Sequence, residues 1–270
     1  MNLYPRISCL KGIFFPFILS SLPPSLGLQP HTRITMRFLL LRYLFIVMLL
    51  DFTLTTVIIH KIKYTEIDWI AYMEEVSTFL SGERDYMLIR GGTGPLVYPA
   101  GFVYVFSVLR WIVGEDYGRE EAIYWMQWVW CGFYFATLST VYRLFVDGFL
   151  GSGRIGCEIE VGDLLPFLCK KGSRRILKWK TPNTLLLLLL IPLLSLSKRI
   201  HSIFVLRLFN DPLAILFAYL SILLFTRGWY KLGCLFYSLG VSIKMNVFLF
   251  APGVLLVLLQ VRGTLPSALI

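Results

Sequence analysis

Glu66 and Asp68 stand at the head of a polar interval, Lys61 to Tyr98, that separates two strongly apolar segments and carries six of the chain's sixteen acidic residues. Carboxylates accept hydrogen bonds and protons from hydroxyl groups, so acid–base chemistry in this chain is expected to begin here. Helix-to-helix connections usually need only ~2–8 residues, and an interval of 38 has another purpose.

Spacing shows what positions those acids. Trp69, Tyr72/Met73, Val76 and Phe79/Leu80 recur at three and four residues, with Glu74, Glu75 and Ser77 off the stripe, which predicts an amphipathic helix from Asp68 to Ser81 on the membrane surface. Thr65 followed by Asp68 has the spacing of a capping box, and Gly82 sits where the helix should stop. Asp68 then has two readings, a reactive carboxylate or a first-turn acid favoured by the helix dipole.

The elements around this interval are membrane spans. Hydrophobic residues make up 57% of the 270 and aromatic residues 16%, with mean hydropathy +0.70, far from the mixture of a soluble domain. The five cysteines and three histidines are scattered, so neither a metal site nor a disulfide framework is expected, and no cofactor is called for. The net charge of +10 sits beside apolar spans, where topology and lipid headgroups explain it better than nucleic acid does.

Four regions follow. Residues 1–37 form an N-terminal extension with a basic start and a short apolar run broken by Pro16, and Met36 offers a second start. Residues 38–147 hold the first spans around the loop 61–98: Phe38 to Ile59, long enough to cross, with Asp51 needing an intramembrane partner; a short one opened by Pro99 and ending at Val113; and Ala122 to Val146. Residues 148–183 are a basic insertion without sustained periodicity, read either as a headgroup- or partner-binding loop or as a segment with no core of its own. Residues 184–270 hold further spans, Leu185 to Leu196, Leu213 to Phe225, and Leu232 to Gln260, which is long enough to cross once but contains Lys244, Asn246 and Pro252, the lysine being costly there unless it is paired or near the surface. Arg33, Arg37 and Arg42 before and within the first span orient the loop 61–98 toward the lumen.

T-E-I-D-W-I-A-Y-M (Thr65 to Met73), T-G-P-L-V-Y-P-A-G-F-V-Y (Thr93 to Tyr104), H-S-I-F-V-L-R-L-F-N-D-P (His201 to Pro212) and V-S-I-K-M-N-V-F-L-F-A-P-G (Val241 to Gly253) resemble the dolichyl-phosphate-mannose-dependent α-1,3-mannosyltransferases of the asparagine-linked glycosylation pathway. The resemblance runs over residues 43–147 and 184–265. It implies an all-α, multispanning membrane protein of the endoplasmic reticulum with the GT-C-like architecture of polyprenyl-phosphate-sugar-dependent glycosyltransferases. The partners it implies are the dolichyl-phosphate-mannose donor, the dolichyl-diphosphate-linked Man5GlcNAc2 acceptor and the lipid bilayer.

A donor that leaves as a lipid phosphate needs no general acid; one base for the acceptor hydroxyl and cations for the phosphate suffice, in an inverting single displacement. On the resemblance, Asp68 is the candidate base and Glu66 its neighbouring alternative. Arg207 is the candidate phosphate grip, because a guanidinium binds two oxygens at once, with Asn210 and Asp211 beside it. Tyr98 is a further candidate substrate contact. His201 either bonds substrate or terminates a helix, and Lys244 either binds a headgroup or pairs with an acid such as Asp51.

Two departures from the family pattern stand out. Gly92 replaces the acid usual in G-D-T-G-P, and family members continue through several spans beyond Ile270, so the transferase expectation attaches to the full-length form. The competing expectation is a non-catalytic membrane fragment or assembly partner. A transporter is disfavoured by polar residues concentrated in one extramembrane loop and by the lack of an internal repeat of broken spans.

Overall fold

A computed structural model describes residues 30–64, 67–151, 159–160, 176–177 and 184–262. Helix α1 (Pro30–Lys61) contains an apolar stretch of 24 residues from Phe38. At 1.5 Å per residue that is about 36 Å, enough to cross ~30 Å of hydrocarbon with some tilt. Helix α2 (Asp68–Leu80) follows, then a two-strand antiparallel hairpin, β1 (Arg90–Gly91) with β2 (Gly94–Pro95), and α3 (Ala100–Val113). The second long span lies in α4 (Glu120–Gly151). Beyond it come a second small hairpin, β3 (Ile159–Glu160) with β4 (Ile176–Leu177), and α5 (Thr184–Ser195), interrupted by Pro192.

Helix α6 (Lys198–His201) then runs into a π turn at Ser202–Leu206; Leu188–Leu206 is the third stretch apolar and long enough to span. Helices α7 (Asp211–Thr226), α8 (Tyr230–Ile243) and α9 (Ala251–Arg262) complete the described chain. The protein is thus an all-α, multi-pass membrane protein, and Phe45, Leu49 and Leu50 of α1 face outward where lipid would meet them.

Two buried clusters hold these helices. One gathers α2, α3, the start of α4, α7 and α8 around Trp69, Met73, Phe102, Phe106, Trp130 and Leu208. The other joins α1, the remainder of α4, α5 and the π turn around Leu44, Val47, Tyr134 and Val205. The first positions the polar interval, and the second anchors it to the spans.

Helix α2 departs from the surface helix that its stripe suggests. It is packed into the first cluster, and Glu75, expected off the stripe, is buried. Gly91 explains part of this: β1 lies so close to α2 that a Cβ there would collide with the Ala71 carbonyl. The start differs as well. The N-cap is Ile67, with no side-chain cap; Tyr64 Oη accepts from the Trp69 N–H at 3.1 Å, while Thr65 lies outside the described residues. Asp68 is therefore the first helical residue and not the third position of a capping box. The stop is as expected, with Gly82 at φ +112° and its N–H donating to the Phe79 carbonyl at 3.1 Å.

The run Leu232 to Gln260 is not one crossing. Helix α8 ends at Ile243, Lys244 is extended at φ −146° and ψ 121°, and a 3-10 turn (Met245–Phe250) precedes α9. Outside the helix, Lys244 meets Asn210 and Asp211 of another part of the chain. Helices α8 and α3 approach at Gly101, where a Cβ would meet the Ser242 side chain and carbonyl. Gly101→Ala is expected to cost about 1–3 kcal/mol by overpacking. Gly118→Ala, where a Cβ meets nothing within 4 Å, should leave the thermal unfolding midpoint in detergent unchanged or slightly raised.

Candidate active site

The break at Lys244 and the start of α7 meet. Lys244 Nζ lies 2.7 Å from Asp211 Oδ2 and donates to Asn210 Oδ1 at 3.1 Å. Both members of the ion pair keep partial exposure, whereas Asn210 is buried and its Nδ2 has no hydrogen-bond partner among the described residues.

The loop that delivers Asn210 and Asp211 is held under strain. Leu208, fully buried, adopts φ +54°, a left-handed conformation that a residue with a Cβ avoids. Donors from α4 fix the carbonyls on either side of it: Trp130 Nε1 to Phe209 at 2.7 Å and Gln127 Nε2 to Leu206 at 3.2 Å. Trp130 also meets Trp69 edge-on at 5.6 Å, and Trp69 Nε1 donates to the Tyr117 carbonyl at 2.9 Å. A continuous set of contacts therefore links the residue next to Asp68 with the loop before α7.

Asp68 sits half-buried in the first turn of α2. One turn on, the Tyr72 and Tyr98 hydroxyls lie 3.2 Å apart, with their rings edge-on at 5.5 Å. Burial raises the proton affinity of both phenols, and the negative charges of Asp68 and Asp211 raise it further; for Tyr98 the hydrogen bond shared with Tyr72 works the other way and Glu75 adds to the rise. Asp68, Tyr98 and Asp211, from three separate sequence blocks, thus share one electrostatic neighbourhood.

The remaining candidates fall as follows. Arg207 lies three residues before Asn210, its guanidinium 6.0 Å from the centre of the Phe209 ring. Glu66 lies outside the described residues. His201 is apart from the cluster, with both ring nitrogens engaged inside the protein: Nε2 lies 2.6 Å from Asp51 Oδ1 and Nδ1 lies 2.9 Å from the Ser197 carbonyl. The Tyr134 hydroxyl sits between Asp51 Oδ2 and the Ser195 carbonyl. Asp51 therefore pairs with His201 and Tyr134, and Lys244 with Asp211. At Gly92 the backbone N–H donates to Glu74 Oε2 at 2.6 Å.

Glu75 was not among the candidates. Burial, then the neighbouring Glu74 charge, push its carboxyl up to about 7 from an ordinary 4.5. Its spacing of three from Tyr72 and four from Phe79 is the signal that places it at the edge of the buried stripe. Between those two pKa values the folded chain holds a proton that the unfolded chain has lost, so this group's contribution to stability is greatest at acid pH and fades as pH rises through about 7. Glu75→Gln is expected to flatten that decline, measured as unfolding midpoints between about pH 5 and about pH 8.

A sequence model of the family described as "ALG3 protein" matches residues 45–151 and 177–270. The Dol-P-Man:Man(5)GlcNAc(2)-PP-Dol alpha-1,3-mannosyltransferase of Cryptococcus neoformans is 40% identical over 250 residues, which cover 88% of this chain and 48% of the relative. Proteins of the same name from Homo sapiens (39% over 213 residues, 78% of this chain and 40% of the relative) and Arabidopsis thaliana (39% over 218 residues, 81% and 40%) are similar as well. The chain spans about half the length, or less, of these relatives. No solved structure matches it.

Proposed function

Because this chain belongs to the ALG3 protein family, we propose that at full natural length it transfers mannose from dolichyl-phosphate-mannose to Man5GlcNAc2 on dolichyl diphosphate, forming an α-1,3 linkage. The transfer takes place on the lumenal side of the endoplasmic-reticulum membrane. The observation that carries the reading is the meeting of Asp68, Tyr98 and Asp211 with Lys244, contributed by four separate motif blocks.

Asp68 takes the proton of the acceptor hydroxyl as that oxygen bonds to the mannose anomeric carbon; the bond to phosphate breaks on the opposite face and its electron pair leaves with the lipid phosphate. The phosphate needs no proton to leave, so one carboxylate serves. Arg207 and Lys244 provide positive charge for the phosphate, with Asp211 and Asn210 holding the Lys244 ammonium in place. Tyr98 and Tyr72 offer hydroxyls and ring faces to sugar.

The test is transfer from radiolabelled dolichyl-phosphate-mannose to the lipid-linked heptasaccharide by the purified protein at full natural length. The expected product is one hexose larger, and an α-1,3-specific mannosidase removes the label. Label in another linkage, or none transferred, contradicts the proposal. Orientation is checked separately: a glycosylation acceptor placed near Gly82 is expected to be modified in microsomes, and one placed before Arg33 is not. The reverse pattern overturns the lumenal assignment.

A further inference from the structure

Glu75 follows Asp68 by seven residues and Tyr72 by three, so the three side chains share one face of α2. The residue is 3% exposed, and its Oε2 has no hydrogen-bond partner among the described residues. The other polar groups of this helix are engaged: Glu74 holds the Gly92 N–H, and Ser77 accepts from Arg110 Nε at 2.9 Å. Arg110 in turn binds Glu115 at 2.6 Å and the Gly114 carbonyl, so it is engaged away from Glu75.

Glu75 stands on the face of α2 that carries Asp68 and Tyr72. Its charge acts on the Tyr98 hydroxyl, the same group that meets Tyr72 and feels Asp68 and Asp211. The Glu74 charge acts on Glu75 from its own helix, and the charges of Glu75, of Asp68 at the head of that helix and of Asp211 of α7 act together on Tyr98 before α3. Aromatic rings stand beside them, Tyr98 against Phe102 at 4.6 Å and Tyr72 against Phe102 at 5.1 Å. A buried carboxyl whose oxygen lacks a partner weakens the fold, and an apolar residue of similar shape would pack there without that cost. Sugars present hydroxyl groups that a carboxyl can bond and C–H faces that aromatic rings can cover.

We propose that Glu75 is a further sugar-binding residue of the transfer site, its carboxyl bonding a hexose hydroxyl beside Tyr98. The identity of the sugar rests on the transferase reading above: it is the mannose of the donor or the terminal mannose of the acceptor, and the two arms of the test separate them.

The protein at full natural length, in detergent at about pH 8, is heated with dolichyl-phosphate-mannose or with Man5GlcNAc2-diphosphate-dolichol, and the unfolding midpoint is followed against probe concentration. For Glu75→Met, the midpoint without probe is expected to equal or exceed that of the parent. The concentration of one probe needed for protection should rise at least roughly tenfold, as expected when a bond to a charged group is lost. Glu75→Gln, which keeps a polar partner, should fall between the two.

A lower unliganded midpoint in Glu75→Met would show a structural role and overturn the proposal. So would protection of Glu75→Met by both probes at the parent's concentrations, which leaves the transferase reading standing. If neither probe protects the parent, the transferase reading itself fails and the role of Glu75 fails with it.

Discussion

Asp68→Asn is expected to lower mannose transfer by about 10²–10⁴-fold while the protein stays inserted and its unfolding midpoint hardly moves. Asparagine has nearly the shape of aspartate but takes no proton at neutral pH. The local structure makes this substitution informative. Ile67 is the N-cap and its own side chain makes no capping bond, so Asp68 is a first-turn acid whose favourable effect on the dipole amounts to about 0.3–1 kcal/mol. The comparison is of initial rates at saturating donor and acceptor, with Glu66→Gln alongside. Near-normal turnover in Asp68→Asn rules it out as the base, and loss confined to Glu66→Gln moves the role two residues upstream.

His201→Leu is expected to destabilise the protein by about 3–5 kcal/mol, because it strips a fully buried Asp51 of its ring partner and leaves the Tyr134 hydroxyl alone to face the carboxylate. The double variant Asp51→Leu/His201→Leu should recover most of that loss, since an apolar pair needs no charge compensation inside the membrane. Unfolding midpoints of the two single variants and the double close the cycle. A substrate-contacting His201 would give the opposite pattern: reduced transfer at an unchanged midpoint, with no recovery in the double variant.

What the sequence revealed and what it hid divide along local and distant causes. The spans Phe38–Lys61 and Glu120–Asp147, the stop of α2 at Gly82 and the short helix after Pro99 are written in hydropathy and in single turn residues, which act within a few positions. The run Leu232 to Gln260 is long enough to cross once, and Lys244, Asn246 and Pro252 mark an interruption in it without showing what meets the lysine. It breaks at Lys244, whose partners Asp211 and Asn210 lie more than thirty residues upstream. An acid at Asp51 called for an intramembrane partner, but nothing local selects His201, 150 residues away, over Lys244.

The candidate site shows the same division. Family motifs bring Asp68, Asn210 and Asp211 to notice one block at a time, and only the fold sets Asp68 and Asp211 around Tyr72 and Tyr98. Glu75 escaped because an acid beside an apolar stripe ordinarily faces solvent. Here the β1–β2 hairpin and α3 pack against α2 and close over that edge.

The central claim, that this protein extends the five-mannose lipid-linked oligosaccharide, is tested most directly by the mass of that oligosaccharide in cells whose only source of the activity is this protein at full natural length. The account predicts that Man5GlcNAc2 gives way to species with six or more mannoses, and that Asp68→Asn at equal protein level leaves Man5GlcNAc2 accumulated. Accumulation of Man5GlcNAc2 with the unsubstituted protein present in the membrane would contradict it.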